Sequence, residues 1–485
     1  MDNSQLKKNA FTGMLWKLTE RIGAQMVTLI VSIVLARLLT PDDYSVVGVV
    51  TVFFAFCNVF VVGGFNTALI QKKDADQKDY SSVLWVSLFI SAALYAVIFF
   101  TAPWIAELYQ KPLLLPVFRV MGITLMIDAV KAVVYAYVSN QLQFKRFFYA
   151  TLCGTLGSAV IGVAMAYMGF GPWALVAQKM ISSIADTVVL ILSSKFRIRL
   201  QLSWHRIKSL FSYGWKIFVA TLISTVYDQL NPLIIGLRFS TVDLSYYSKG
   251  QSFPLALNTS LDGAMTSVLF PVMSKVQDDS DAVLRYTRRF MRIASYVVFP
   301  VMVGFLAVSD SFVYLLLTPK WMSASFYIKV FCVTYMFNIV QNGNLQTIRA
   351  IGRSDIILKL EVIKKSLYFL VIFAAVMFAT KPEHLALATI INTCVATLVN
   401  TAPNRKLIGY RYRDQIADLL PNLLTSAVMG VAVYMINFLS LGMLVKLVLQ
   451  LAVGAVSYIL LSLVTRNSSF HYLLQTLKRY VFKKG

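Results

Sequence analysis

The chain has 485 residues, of which 58% are hydrophobic and only 14% are charged. Soluble domains carry about 25% charged residues, so this composition excludes an ordinary soluble protein and indicates a membrane protein with several spans. In a soluble protein the net charge of +23 would suggest a nucleic-acid partner. Here the basic residues lie in short gaps between apolar blocks, and no nucleic-acid binding is predicted.

Fourteen apolar blocks follow one another along the chain. A membrane-spanning helix needs roughly 20 mostly apolar residues, and continuous runs favour helices over a barrel of alternating strands. No cleavage site follows the polar start of the chain, so we expect the first block to remain as a helix. The predicted spans are 13–38, 44–70, 82–106, 115–139, 148–169, 172–194, 210–237, 244–274, 290–309, 325–348, 356–379, 383–403, 416–439 and 441–464.

Lys and Arg are divided unequally between alternate gaps. One set of gaps, which includes both ends of the chain, holds 29 of them, and the other set holds 5. Because cytoplasmic loops are enriched in Lys and Arg, we expect both termini to be cytoplasmic. Both termini lie on one side only when the number of spans is even, and fourteen satisfies this condition.

Several residue pairs recur about 200 positions apart, which indicates an internal repeat. The predicted fold is therefore an all-α integral membrane protein with two six-helix lobes related by a pseudo-two-fold axis along the membrane normal, followed by two further helices. The predicted domains are 1–209, 210–415 and 416–485, with 195–209 as the linker between the lobes. Coincidence in an apolar background is the alternative explanation of the repeat. The pairs are Trp16-Lys17 with Trp215-Lys216, Arg37-x-x-Thr40 with Arg238-x-x-Thr241, and Asp42 with Asp243.

Four basic residues inside the predicted spans form the main candidate site. A charge at a helix centre costs about 2.5–3.5 kcal/mol on insertion scales, so each survivor needs a partner or a function. Lys17 and Arg21 share one helix face, Lys216 is the repeat mate of Lys17, and Lys249 enters its helix near the outer surface. If these helices line a cleft, the four residues would bind a phosphate or diphosphate. Snorkelling of Lys17 and Lys216 to the membrane surface is the alternative.

A second set of intramembrane charges is open to several interpretations. Asp128 stands three residues before Lys131, and the two are expected to neutralise each other. The acids near mid-membrane could pair with lysines or carry protons, and the sequence does not choose between these roles. No metal cluster or cofactor motif is found. The candidate secondary or ion-coupling residues are Glu20, Arg119, Lys131, Lys179, Asp186, Asp228 and Asp262.

Four stretches then suggest a family: LARLLTPDDY at 35–44, GFNTALIQKK at 64–73, QFKR at 143–146 and FPVMSKVQ at 270–277. In order and spacing they resemble the polysaccharide transporter family of the multidrug/oligosaccharidyl-lipid/polysaccharide exporter superfamily, and within it the Wzx-type flippases for exopolysaccharide. The sequence departs from the family where Ser45 replaces a frequent glycine. It departs again where Val62 and Gly63 stand in place of a frequent acid, which argues against ion coupling through an acid of the second helix.

The resemblance implies alternating access around a basic central cavity. It implies an undecaprenyl-diphosphate-linked oligosaccharide as the substrate, flipped across a bacterial inner membrane for exopolysaccharide or O-antigen synthesis. Membrane lipid, a polysaccharide polymerase and assembly proteins are the other candidate partners.

Two other functions are weighed against a flippase. A cation-coupled drug antiporter of the same superfamily would favour an acidic cavity, whereas the charges of the first helix are net basic. A membrane polymerase or glycosyltransferase would need a large loop with catalytic carboxylates or histidines, and the longest outer gaps, 107–114 and 310–324, are short. The sequence contains no G-x-x-x-x-G-K-[ST] motif, which argues against an ATP-driven pump. The prediction is a transporter and not an enzyme.

Overall fold

The computed structural model describes residues 23, 25–72, 74–141, 143, 145–194, 196–274, 276–277 and 279–482. These residues form helices joined by short turns, and no strand occurs among them. The chain divides into two compact units, residues 1–245 and 246–485. The lobe boundaries predicted at 209/210 and 415/416 were derived from the sequence repeat, whereas these two units are defined by contacts within each unit. The predicted boundaries stay a prediction.

In the described part of the chain, nine helices lie in or begin in the first unit. The short α1 is followed by seven complete helices, α2 to α8, and α9 begins just before the end of the unit. They are α1 (Gln25–Leu38), α2 (Pro41–Val62), α3 (Phe65–Gln71), α4 (Gln77–Leu108), α5 (Leu114–Asn140), α6 (Lys145–Tyr167), α7 (Pro172–Ser194), α8 (Trp204–Arg238) and α9 (Thr241–Ser274).

The second unit continues from α9. Its helices are α10 (Ser280–Phe312), α11 (Met322–Ala350), α12 (Ser354–Phe378), α13 (Pro382–Thr401), α14 (Asn404–Ile408), α15 (Tyr412–Met435), α16 (Met443–Val464) and α17 (Ser468–Phe482). α10 and α11 are connected by a π-turn at Val313–Leu317 and a 3-10 turn at Pro319–Trp321.

In the described ranges, ten helical segments have the length and composition to cross a membrane. The apolar α1 is shorter, and three other predicted spans, α5, α9 and α12, are not among the ten. Each of these three carries at least three charged residues. The all-helical membrane class is therefore confirmed, while the count of fourteen spans and the two-lobe arrangement remain predictions.

α2 and α9 begin with similar caps, in which a hydroxyl accepts from the backbone amide of an aspartate three residues later and donates to its carboxylate. At α2, Asp43 N donates to Thr40 Oγ1 at 3.2 Å, and Thr40 N donates to Asp43 Oδ2 at 2.7 Å. At α9, Asp243 N donates to Ser240 Oγ at 3.0 Å. The two caps are 200 residues apart, so Asp43 is the structural counterpart of Asp243. Asp42, which the sequence repeat selected, instead forms an ion pair with Lys111.

A break separates α2 from α3. Gly64 has φ +84°, a conformation that residues with a side chain rarely adopt. A Cβ on Gly64 would lie 2.4 Å from the backbone oxygen of Gly214 in α8. The three helices therefore meet backbone to backbone, and an apolar cavity of about 200 Å³ lies beside the contact.

The predicted linker, 195–209, contains a non-helical stretch that runs along α4. Trp85 Nε1 donates to Arg199 O at 3.0 Å, and Ser203 N donates to Ser82 Oγ at 3.0 Å. Where α8 starts, Arg206 forms ion pairs with Asp76 and Asp79. Partial burial raises the pKa of Asp76, but hydrogen bonds from the Asp79 amide and from Arg206 outweigh this and hold it below its usual value. The linker is thus attached to the first unit.

Candidate functional site

α6 and α7 pack closely because small residues occupy their shared face. Gly154, Ser158 and Gly162 recur every fourth residue of α6, and all three are buried. A Cβ on Gly154 would lie 1.9 Å from Asp186 Oδ1 of α7. The absence of a side chain at 154 therefore leaves room for the Asp186 carboxylate against α6.

A polar cavity of about 330 Å³ lies inside the first unit, where α2, α3, α5, α6 and α7 approach one another. Its polar lining includes Asn58, Asn66, Asp128, Lys131 and Asp186. Lys131 and Asp186 are both candidates from the sequence, and the structure brings them to one site.

The charged groups around this cavity are closely linked. Lys131 Nζ lies 3.2 Å from Asp128 Oδ1, which confirms the predicted i, i+3 pair. Ser183 Oγ donates to the same Asp128 oxygen at 2.6 Å and lies 3.5 Å from Lys131 Nζ. Lys179, one turn before Ser183, is near enough for the charges of Asp128 and Lys131 to act on it. Together with Asp186, the cluster holds two acidic and two basic side chains.

Two amide oxygens are available at the wall of the cavity. Asn58 Oδ1 and Asn66 Oδ1 are both buried, and neither has a hydrogen-bond partner among the described residues. A buried carbonyl oxygen without a partner is costly unless water or a ligand reaches it. The cavity therefore offers two hydrogen-bond acceptors as well as the Asp128–Lys131 ion pair.

The main predicted basic site is only partly described. Lys17, Arg21 and the neighbouring Glu20 lie outside the described residues. Lys216 is exposed on α8, as is Asp228 three turns later. The four-residue basic cavity therefore stays a prediction.

Lys249 lies within the second unit and is only 5% exposed. Its Nζ is 5.7 Å from the ring centroids of both Phe253 and Trp321, and Trp321 is fully buried. Such contacts stabilise a cation electrostatically. In this conformation the ammonium is enclosed by aromatic rings rather than lining a described cavity.

The remaining candidates have separate surroundings. The Arg119 guanidinium lies 4.1 Å from the Phe99 ring centroid, at the opposite end of α5 from the polar cavity. Asp262 Oδ2 of the second unit accepts from Asn342 Nδ2 at 2.9 Å. Neither residue lines the polar cavity.

Sequence reasoning missed several polar residues. Asn58 interrupts an apolar run, which is a signal that could have singled it out, whereas Ser183 has no distinguishing pattern. Asp310 was placed in an outer gap, yet it belongs to α10 and pairs with Lys329 Nζ at 2.8 Å. Within the described ranges, no cluster of three His, Cys, Asp or Glu residues could hold a metal ion.

Comparison with known proteins gives consistent results along most of the chain. A family profile described as "Polysaccharide biosynthesis protein" matches residues 34–326, more than half of the sequence. The teichuronic acid biosynthesis protein TuaB of Bacillus subtilis is 22% identical over 480 residues, which cover 94% of this chain and 95% of that protein. The lipopolysaccharide biosynthesis protein WzxC of Escherichia coli is 22% identical, with 88% of each chain covered.

Among solved structures, the inward closed conformation of the lipid II flippase MurJ is similar, with a TM-score of 0.77 and 14% identity. The similarity covers 93% of this chain and 99% of that one. At this identity the likeness concerns the fold.

Proposed function

Since this chain belongs to the polysaccharide biosynthesis protein family, we propose that it is a flippase that moves a lipid-diphosphate-linked oligosaccharide from the inner to the outer leaflet of the membrane. The family match carries this proposal. Relatives of nearly the same length are named for the synthesis of teichuronic acid and lipopolysaccharide, and the fold is similar to that of a lipid II flippase. A flippase for a lipid-linked polymer precursor, which is a transporter and not an enzyme, fits these names and this fold.

The proposed architecture has fourteen spans, arranged as two six-helix lobes and a final pair, in a bacterial inner membrane. Each predicted span overlaps a described helix, and the two matching caps 200 residues apart support the repeat. The excess of Lys and Arg in one set of gaps supports cytoplasmic termini. A polymerase and assembly proteins are candidate partners.

We assign substrate binding to Lys17, Arg21, Lys216 and Lys249, whose positive charges suit a diphosphate. In the described conformation Lys249 lies between two aromatic rings, and alternating access would expose its ammonium to the cavity. The test of this assignment is therefore functional.

We assign ion coupling to the cluster of acidic and basic side chains in the first unit, which comprises Asp128, Lys131, Lys179 and Asp186. A proton or cation that reaches Asp128 competes with Lys131 for the same oxygen, so its binding would release a lysine. Asp186, held against α6, is the second carboxylate of the cluster. Coupling requires that the proton or cation bind one transport conformation better than the other, and the loss of the Asp128–Lys131 contact would supply such a difference.

Reconstitution tests the proposed function. The full chain is placed in liposomes with a fluorescent undecaprenyl-diphosphate oligosaccharide, and a membrane-impermeant quencher reports how much label reaches the other leaflet. We expect transfer well above that of protein-free liposomes, and little transfer of a monophosphate lipid without sugar. Transfer equal to that of protein-free liposomes, together with uptake of cationic drugs by the same vesicles, would support the antiporter alternative instead.

The same liposomes test the substrate site. Arg21→Ala and Lys249→Ala should abolish transfer, and Arg21→Lys should retain part of it if bidentate phosphate contact matters. Arg353→Ala is the matched control, because Arg353 pairs with the exposed Asp355 outside the predicted spans. Full transfer in either alanine variant, at equal protein incorporation, removes that residue from the site.

A further inference from the structure

Four arginines of α10 lie on one face of the helix and line a cavity of about 350 Å³ in the second unit. Their spacing, Arg285, Arg288, Arg289 and Arg292, follows i, i+3, i+4 and i+7, which places them along a single stripe. Ser468, Ser469 and Tyr472 of α17 also line the cavity. A preference for basic cytoplasmic loops explains the number of arginines but not their convergence on one cavity.

Two of the arginines are fixed by a single buried carboxylate. Asp418 of α15 has only 2% of its side chain exposed. It accepts from Arg288 Nε at 2.8 Å and from Arg292 Nε at 2.8 Å, and Tyr410 OH donates to it at 2.9 Å. One negative charge therefore orients two guanidinium groups and neutralises only one of them.

The other two arginines are less compensated. The Arg289 guanidinium stacks 3.9 Å from the centroid of the Tyr472 ring, a contact that leaves its edge donors available. Arg285 is largely exposed, and its nearest carboxylate contact is Asp279 at 3.9 Å. No carboxylate is among the described residues that line the cavity. Asp418 and Asp279 contact three of the four arginines, and the arginines are the charged residues of the described lining, so the lining of the cavity is positive.

The position of the cavity indicates the kind of anion. The uncharged part of α10 begins directly after Arg292, that of α15 begins after Asp418, and that of α16 ends at Val464. Three spans thus reach the depth of the lipid headgroups where the arginines lie. α17 is held there because Asn467 caps its start, accepting from Ser469 N at 2.9 Å, and because Phe470 packs against Tyr296 and Tyr458.

We propose that this arginine cavity binds the phosphate of an anionic membrane lipid headgroup. Guanidinium groups bind phosphate through paired hydrogen bonds, and basic pockets between spans at the cytoplasmic side are suited to lipid headgroups. The lipid bridges α10 and α17 and is distinct from the transported substrate. The proposal does not depend on transport, because binding is measured directly.

Binding is measured on the full chain in detergent with short-chain phosphatidylglycerol, short-chain phosphatidylcholine and inorganic phosphate as probes. We expect phosphatidylglycerol to bind at least about tenfold more tightly than the other two, which corresponds to about 1.4 kcal/mol. The arginines repel the choline cation of phosphatidylcholine, and inorganic phosphate has no acyl chains to contact the spans. Equal binding of phosphatidylcholine overturns the proposal, and equal binding of inorganic phosphate overturns the lipid as the source.

The variants separate a built site from general surface charge. Arg285→Gln/Arg289→Gln removes two positive charges and leaves the Asp418 contacts intact, so folding should be preserved, with an unchanged melting temperature in detergent. We expect phosphatidylglycerol binding to fall to the phosphatidylcholine level, and Arg285→Lys/Arg289→Lys to show an intermediate loss. Arg405→Gln/Arg413→Gln removes the same charge from exposed positions outside the cavity. An equal loss in that control overturns the proposal.

Discussion

The two polar cavities differ in how their charges are compensated. The cavity of the first unit lies within the predicted spans, and its lining holds charges of both signs from Asp128, Asp186 and Lys131. The arginine cavity of the second unit lies at the ends of three spans and keeps an excess of positive charge around one buried aspartate.

This difference follows from the cost of removing charge from water. Inside the apolar layer an uncompensated charge is expensive, so lysines are found beside aspartates or aromatic rings. At the end of a span, side chains reach water and headgroups, and an excess of arginine is tolerated. Charged side chains within the apolar layer can therefore exchange their ion-pair partners, whereas arginines at the edge of the layer can bind a further anion.

We expect the largest loss of stability when the aspartate at the centre of the arginine cavity is removed. Asp418→Ala leaves two guanidinium groups without their shared carboxylate, and removing one partner of a buried pair costs about 3–5 kcal/mol. Because both arginines are more than one-third exposed, we expect a loss of about 3 kcal/mol, at the lower end. SDS-induced unfolding in mixed micelles, followed by tryptophan fluorescence, measures it. Asp281→Ala, on the exposed first turn of α10, is the control, and an equal loss there would show that Asp418 has no special role.

We expect a smaller loss of stability in the polar cavity of the first unit, because both members of its ion pair can be replaced together by neutral residues. Lys131→Ala leaves Asp128 with the hydrogen bond from Ser183 Oγ and without its ion pair, and it should cost about 2 kcal/mol in the same unfolding measurement. Asp128→Asn/Lys131→Met removes both charges together and should cost less than about 1 kcal/mol. If the double variant loses as much as the sum of the single ones, the two residues do not compensate each other.

The position of Asp186 can be probed without changing any charge. Gly154→Ala brings a Cβ into the space of Asp186 Oδ1 and should cost about 1–3 kcal/mol through overpacking. It should also reduce transfer in liposomes if the carboxylate takes part in coupling. Gly157→Ala is the matched control on the same helix, because no atom of the described residues lies within 4 Å of a Cβ built there. There the better helix propensity of alanine should leave stability equal or slightly higher.

The smallest effect concerns an arginine that is compensated by a ring. Phe99→Leu removes the surface under Arg119 and should cost about 0.5–1 kcal/mol. Phe100→Leu is the comparison, since both variants remove the contact between these two phenylalanines. Equal stabilities of the two variants would mean that the ring contributes nothing to the burial of Arg119.

Local features of the fold were predictable from the sequence. Continuous apolar runs locate the helices, and the spacing of Asp128 and Lys131 predicts their ion pair, because both depend only on nearby residues. The repeat predicted from residue identity is one residue out of register at the start of α2 and α9, because it matches Thr40 with Thr241 and Asp42 with Asp243. Thr40 and Asp43 form a cap that matches Ser240 and Asp243, and hydrogen bonds rather than residue identity define it.

Features that join distant helices were not predictable. Arg288 meets Asp418 across 130 positions of the chain, and Asp310 meets Lys329 across a bend that the sequence had assigned to a loop. Hydropathy fixes where a helix lies along the chain but not which of its faces meets which neighbour. The enclosure of Lys249 by Phe253 and Trp321 depends on that rotation, and so the sequence alone suggested a wet cavity.

The gap between α2 and α3 has a mechanical consequence. At Gly63 and Gly64 the helix is interrupted, and the left-handed backbone of Gly64 turns the chain there. Gly214 lies against this turn, so neither residue at the closest approach of α8 has a side chain to keep the two backbones apart. A methyl group at Gly64 would meet the backbone oxygen of Gly214, so Gly64→Ala should force α3 and α8 apart.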